Sequence, residues 1–222
     1  MAKGRTDSIQ IRRARRKDAD FLAWVTLSAS RSQFTRGIWD RIIAANDGGC
    51  LDYLARLAVT EPRSLYHYEN FLLAEVKDQP AAALCGFEMC ADTWAVLAEA
   101  MSAVQKDIGW SKADVAASQQ RFPPIWACFP QDVGADWVIE NVATKPDYRR
   151  QGLASALLEE IVREGVERGR QLAQITLYIG NDSARSAYEK SGFRFSDETR
   201  CRTLEPIFGA VGFVRLLRKL PT

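Results

Sequence analysis

The stretch Arg149-Arg150-Gln151-Gly152-Leu153-Ala154 joins two adjacent cations to a glycine, at the point where an extended apolar run gives way to a long amphipathic one. Pro146 terminates the extended run, Gly152 supplies backbone freedom, and Ala154 keeps the first helical turn slim. A helix entrance leaves several backbone N–H groups without partners and carries the positive end of the dipole, so a pyrophosphate suits it. Taken alone the pattern is weak, because an ordinary structural turn or another phosphate-binding fold would also use it. Other chemistries have less to build on. His67, in Tyr66-His67-Tyr68, is the single histidine of the chain, which rules out a multi-histidine metal site. A Ser-His-Asp triad would have to run through His67, and no Gly-x-Ser-x-Gly elbow accompanies it. A bland role is therefore expected for His67. Cys50, Cys85, Cys90, Cys128 and Cys201 are scattered, odd in number and lack two-residue spacing. Neither a disulfide framework nor a structural zinc site is expected from them.

The elements around that loop follow from periodicity. Ser8 to Arg12 alternates like an opening strand, and Asp18 is placed to cap a helix bearing Phe21, Leu22, Trp24, Val25 and Leu27. An amphipathic region over 37–57 is expected to break at a turn, Asp47-Gly48-Gly49. Two strands, 71–76 and 82–87, suit a hairpin with a longer loop over 77–80. Helical periodicity over about 91–120 ends at Arg121-Phe122-Pro123-Pro124. Trp137 to Ala143 predicts a strong strand, and Gly152 to Arg168 the clearest helix, with Leu153, Leu157 and Ile161 in one row. A strand over 175–179, a short helix over 183–191, a strand from Phe193 and a final strand over 210–217 complete the order. The basic run Arg12, Arg13, Arg15, Arg16, Lys17 is followed by Asp18 and Asp20 without interleaved aromatics, and fits a solvated connection better than a nucleic-acid patch.

The segment Arg149-x-x-Gly152-x-Ala154 resembles the pyrophosphate loop Gln/Arg-x-x-Gly-x-Gly/Ala of the GNAT superfamily of N-acetyltransferases. About 30 residues on, Asn181-x-x-Ala184-x-x-x-Tyr188-x-x-x-Gly192-Phe193 resembles the second half of the same signature. Two patterns in the right order, separated by a helix and a strand, are far more specific than either. The resemblance covers about the last 90 residues well. It implies an α/β (α+β mixed sheet) fold, a splayed mixed β-sheet with flanking helices, in a single domain with a helical insertion at about 91–136.

The resemblance also implies a reaction, the direct attack of a neutral amine on the thioester of acetyl-CoA. On that analogy Val142, Ala143 and Thr144 pair with the pantetheine arm and hold the acetyl carbonyl. Backbone N–H groups from Arg150 through Gln151, Gly152 and Leu153 to Ala154, with the charge of Arg149, take the pyrophosphate, and Asn181 contacts the arm. Tyr188 matches the thiolate-protonating tyrosine; its alternative is a core aromatic on a short helix. Glu140-Asn141 resembles the Glu-Asp pair of polyamine-type members, with Asn141 in place of the acid. Glu140 stands equally as the base or as a charge on a partly exposed strand. Trp126, Phe34 and Trp39 are candidate walls of an acceptor pocket, each with core packing as the alternative.

Bulk properties are compatible with this and select little. The 222 residues are 47% hydrophobic and 26% charged, with 30 basic and 28 acidic residues giving a net charge of +2. So balanced a chain gives no electrostatic case for nucleic acid. No apolar run approaches the roughly 18 residues that span a bilayer, and Met1 to Arg5 leads into a charged stretch without an apolar signal-peptide core. The expectations are a cytoplasmic enzyme with no metal, no nucleic-acid or membrane partner, and a small-molecule amine acceptor. A protein or peptide acceptor, or a module that binds acetyl-CoA without turnover, are the alternatives. A homodimer is expected by family analogy alone.

Overall fold

A computed structural model describes residues 9–130 and 132–221. Ser8, the first residue of the expected opening strand, and the segment Met1 to Arg5 lie outside the described residues. Strands β1 (Ile9–Arg13), β2 (Phe71–Val76), β3 (Gln79–Glu88), β4 (Trp137–Thr144), β5 (Leu172–Tyr178), β6 (Arg194–Arg200) and β7 (Gly212–Lys219) form one mixed sheet in the order β1-β2-β3-β4-β5-β7-β6. The β4–β5 pair is parallel and every other pairing is antiparallel.

Helices cover both faces. On one lie α1 (Ala19–Arg31), α2 (Ile38–Ile43), α3 (Asp47–Leu57) and α4 (Thr93–Asp107), followed by α5 (Lys112–Arg121) and the single turn α6 (Pro123–Trp126). On the other lie α7 (Leu153–Glu167) and α8 (Asp182–Lys190). A short α9 (Glu205–Phe208) precedes β7. The predicted apolar row of α7 is buried, with Leu157, Leu158 and Ile161 fully inaccessible. Each such side chain contributes roughly 1.5–3 kcal/mol. Close approach of α7 to the sheet depends on Gly86, where an added Cβ would lie 2.5 Å from Ile161. The Trp137 indole N–H fixes the same contact by donating to the Ile161 carbonyl at 3.0 Å.

Several local expectations are corrected. Asp47-Gly48-Gly49 forms the first turn of α3, because the Asn46 side chain accepts the Gly49 N–H and caps the helix there. The β2–β3 connection is a two-residue turn, Lys77-Asp78, with both residues at positive φ, so Gln79 and Pro80 belong to the strand. The helical stretch after Ala91 divides at Gly109 (φ +75°), and Ser111 with Asp114 caps the second piece. The Asp18 side chain does not cap α1; it accepts the Arg15 N–H at 2.7 Å and pairs with Arg12. Arg12 also reaches Glu75, and Arg13 pairs with Glu164 on α7. The basic run is thus partly committed to structural ion pairs. Cys128 and Cys201, 73 residues apart, are bridged, with Cα atoms 5.5 Å apart. Spacing in the sequence carried no sign of that approach. Cys50 and Cys85 are buried thiols and Cys90 is exposed.

Candidate active site

The site begins where the sheet opens. At one end β4 and β5 are held together, with Asp136 accepting the Leu172 N–H at 2.8 Å and register pairs running from Trp137–Ala173 to Ile139–Ile175. Beyond that point, among the described residues, the two strands part. The cause lies in β4. Cys85 faces Glu140 and Ala83 faces Ala143, so two residues, Asn141 and Val142, oppose Leu84. This is a β-bulge, and Asn141 occupies the left-handed region at φ +55°. After the bulge β4 stays with β3, its Lys145 N–H donating to Ala81 at 2.8 Å, while β5 continues along β7. The edges over 140–144 and 176–178 are left facing each other across a notch.

Around the notch lies a cavity of about 460 Å³, of a size suited to a small molecule. It is lined by Glu140, Asn141, Val142, Ala143, Thr144, Arg149, Asn181 and Tyr188, joining eight residues from three separate elements. Arg150, Gln151, Gly152 and Ala154 lie beside it at the entrance to α7; Leu153 turns its side chain into the core and offers the entrance only its backbone. Arg150 and Gly152 have positive φ (61° and 81°), and no side chain caps α7. The N–H groups of its first turn are open to an anion. Arg149 is held toward the notch by donation to the Thr144 carbonyl at 3.4 Å.

Asn181 has structural work as well. Its Oδ1 caps α8 by accepting the Ala184 N–H at 3.1 Å, and its Nδ2 donates to Ser32 Oγ at 2.7 Å. Tyr188, on α8, is buried, and desolvation raises its phenol above the usual range, so it stays protonated. Glu140 points to the opposite face of the sheet. Desolvation pushes its carboxyl up to about 7, and its charge adds to the burial that raises Tyr66. The Asn141 Nδ2 and Tyr178 Oη are buried without hydrogen-bond partners, and both residues line the cavity. His67 is buried outside the lining, its ring packed on Tyr68 and its Nδ1 accepting the Glu69 N–H at 3.5 Å, and burial lowers its pKa.

Toward α1–α6 the wall turns aromatic. Trp39 and Trp126 line it, whereas Phe34 stands behind the lining, edge-on to Tyr178 at 5.4 Å. The sequence reading missed Trp24, Tyr66, Trp94, Phe129, Tyr178 and Phe213, which also contribute. They come from segments far apart in the chain, and no local spacing connects them. Among the described residues no group of three His, Cys, Asp or Glu side chains could hold a metal, and no helix is long and apolar enough to cross a membrane.

Known proteins supply the comparison for this geometry. Residues 115–193 match the profile of the Acetyltransferase (GNAT) family. The [ribosomal protein bS18]-alanine N-acetyltransferase of Escherichia coli strain K12 is 42% identical over 53 residues, 24% of this chain and 36% of that protein. The match therefore spans about a third of that relative's length. Among solved structures, one described as an acetyltransferase superposes with a TM-score of 0.69 at 17% identity, covering 96% of this chain and all of its own. An N-acetyltransferase from Staphylococcus aureus Mu50 gives 0.64 at 17% identity, over 94% and 99%. The notch between parallel strands and the uncapped helix entrance beside it both lie within the segment 115–193 that matches the Acetyltransferase (GNAT) family, and the chain as a whole shares the fold of these solved acetyltransferases.

Proposed function

We propose that the protein is an acetyl-CoA-dependent N-acetyltransferase in which a small-molecule amine attacks the thioester directly. One observation carries this reading: Glu140 and Tyr188, on opposite faces of the sheet, open on a single cavity through the β4–β5 notch. The notch fits the cosubstrate. Unpaired strand edge over Val142 to Thr144 suits an extended amide-bearing arm, the uncapped α7 entrance suits a pyrophosphate, and the orphaned Asn141 amide offers a donor to an acyl oxygen. Bound acetyl-CoA supplies the activated acetyl group.

The chain's own residues then divide the work. Glu140 takes the proton of the incoming ammonium, directly or through water, which a carboxyl titrating near 7 does well at neutral pH. The freed nitrogen lone pair forms the N–C bond, and the oxyanion is met by N–H groups at the β4 bulge. As the C–S bond breaks, the thiolate takes the Tyr188 proton, and the second proton of the attacking nitrogen, shed as the amide forms, restores the Tyr188 phenol. A protein acceptor is the second reading, supported by the Escherichia coli relative, whose name gives a ribosomal protein alanine as its acceptor. Calorimetry with acetyl-CoA and thiol release across a panel of amines and short peptides test both. Binding with amine-dependent thiol release is expected. No binding would end the transferase reading.

A further inference from the structure

The α1–α6 side of the cavity is an aromatic chamber with very little charge. Its wall is continuous: Trp94 meets Trp126 edge-on at 4.4 Å, Trp126 meets Phe129 at 5.5 Å, Phe129 stacks on Phe213 at 4.5 Å, and Phe213 on Tyr178 at 4.8 Å. Trp94 and Trp126 are 38% and 39% exposed, among the few large hydrophobic side chains so open to solvent. Two indoles left bare at the mouth of a cavity mark a surface that something apolar covers. Among all lining residues the charged ones are Glu140 and Arg149, and Arg149 sits on the α7 side with Thr144. The chamber therefore offers a single carboxylate, placed beside the notch.

We infer that the acceptor is a primary monoamine carried on an aromatic ring, an arylalkylamine, with its nitrogen at Glu140 and its ring on the Trp94–Phe213 wall. The inference rests on the transferase reading above. A polyamine or aminoglycoside would bring further ammonium groups into a chamber with no second carboxylate, where loss of water is costly. A peptide terminus would lay backbone amides and carbonyls against the Trp94–Phe213 wall, whose aromatic faces leave them without partners. A flat ring with one amine matches both the single carboxylate and the aromatic wall.

The test is steady-state thiol release with acetyl-CoA and four acceptors: phenethylamine, tryptamine, spermidine and an alanine-initiated peptide. The arylalkylamines are expected to exceed the other two at least tenfold in kcat/KM. Trp126→Ala and Trp94→Ala, both at exposed positions, are each expected to raise KM for phenethylamine about tenfold and leave KM for acetyl-CoA unchanged. Best turnover of spermidine or peptide overturns the inference, as does an unchanged phenethylamine KM in both variants. If acetyl-CoA binds and nothing turns over, titration of phenethylamine into the CoA-bound protein decides, read by tryptophan fluorescence. Saturable quenching lost in Trp126→Ala supports the chamber, and no quenching overturns it. Failure to bind acetyl-CoA overturns the transferase reading itself.

Discussion

The two ends of the cavity are made from different materials. At the α7 end the contacts on offer are largely backbone: strand edges unzipped by a bulge, N–H groups of an uncapped helix, and three residues at positive φ, Asn141, Arg150 and Gly152. At the other end they are side chains, a run of aromatic rings drawn from α1, α2, α4, the α6 turn and β7. Backbone sites tolerate wide variation in sequence provided a few small or permissive residues stay in place, and they suit a ligand common to many relatives. A chamber of side chains is rebuilt by single substitutions. On the reading proposed above, the first end holds the cosubstrate and the second selects the acceptor.

That contrast can be broken or sharpened by experiment, beginning with the largest expected effect. Tyr188→Phe removes the phenol assigned to protonate the thiolate, and kcat is expected to fall by about 10²–10⁴-fold with KM for acetyl-CoA little changed. Unchanged turnover would leave Tyr188 as core packing. Gly152→Trp places a bulky group at a residue of φ +81°, where a Cβ meets nothing but open space. The fold should survive, while acetyl-CoA affinity measured by calorimetry is expected to drop about 100-fold or more. Full affinity would show that the α7 entrance is not the anion site.

Glu140→Gln tests the base from the other side of the sheet. In the wild type kcat/KM for the amine should rise with pH through about 7, as the carboxyl loses its proton. The variant should lose that limb and run about 10–100-fold slower at pH 8. Stability should move in the opposite sense. A carboxyl raised from its ordinary value of 4.5 to about 7 favours the fold below pH 4.5, and that contribution is lost as pH rises through 7. Thermal melts of the glutamine variant should not show that decline. The smallest effect belongs to Asn181→Ala, which removes the α8 cap and should cost about 1 kcal/mol, a few degrees in Tm. A much larger loss of acetyl-CoA affinity than of stability would assign Asn181 to the ligand as well.

Legibility followed the same division. The loop from Arg149 to Ala154 was a weak signal of a helix entrance by itself, and it became legible together with the segment from Asn181 to Phe193 through their joint resemblance to the GNAT signature. The order of strands and helices followed from periodicity, with α7 found almost to its ends, whereas the mixed, splayed sheet followed from the family resemblance. Errors fell where one hydrogen bond decides the outcome, as when Asn46 turns an apparent glycine turn into the start of α3. The bulge was invisible. Val138 faces the same core as Ala143, whereas Ile139 faces the same core as Val142, so the alternation of β4 reverses within the strand. A window over Trp137 to Thr144 averages two patterns that are out of step. The aromatic wall was invisible for another reason: Trp94 and Phe213 lie 119 positions apart in the chain and share nothing until the sheet folds.

An opening in the middle of a sheet also creates edges where a continuous sheet would have none. The stretches 140–144 and 176–178 present unpaired backbone to any extended chain that reaches them, as an outer strand does. A molecule lying in the opening caps both edges at once, and its binding adds to the stability of the fold, about 2.7 kcal/mol at a hundred times its dissociation constant. A ligand bound there would raise the melting temperature with its free concentration, and its withdrawal would bare both edges again.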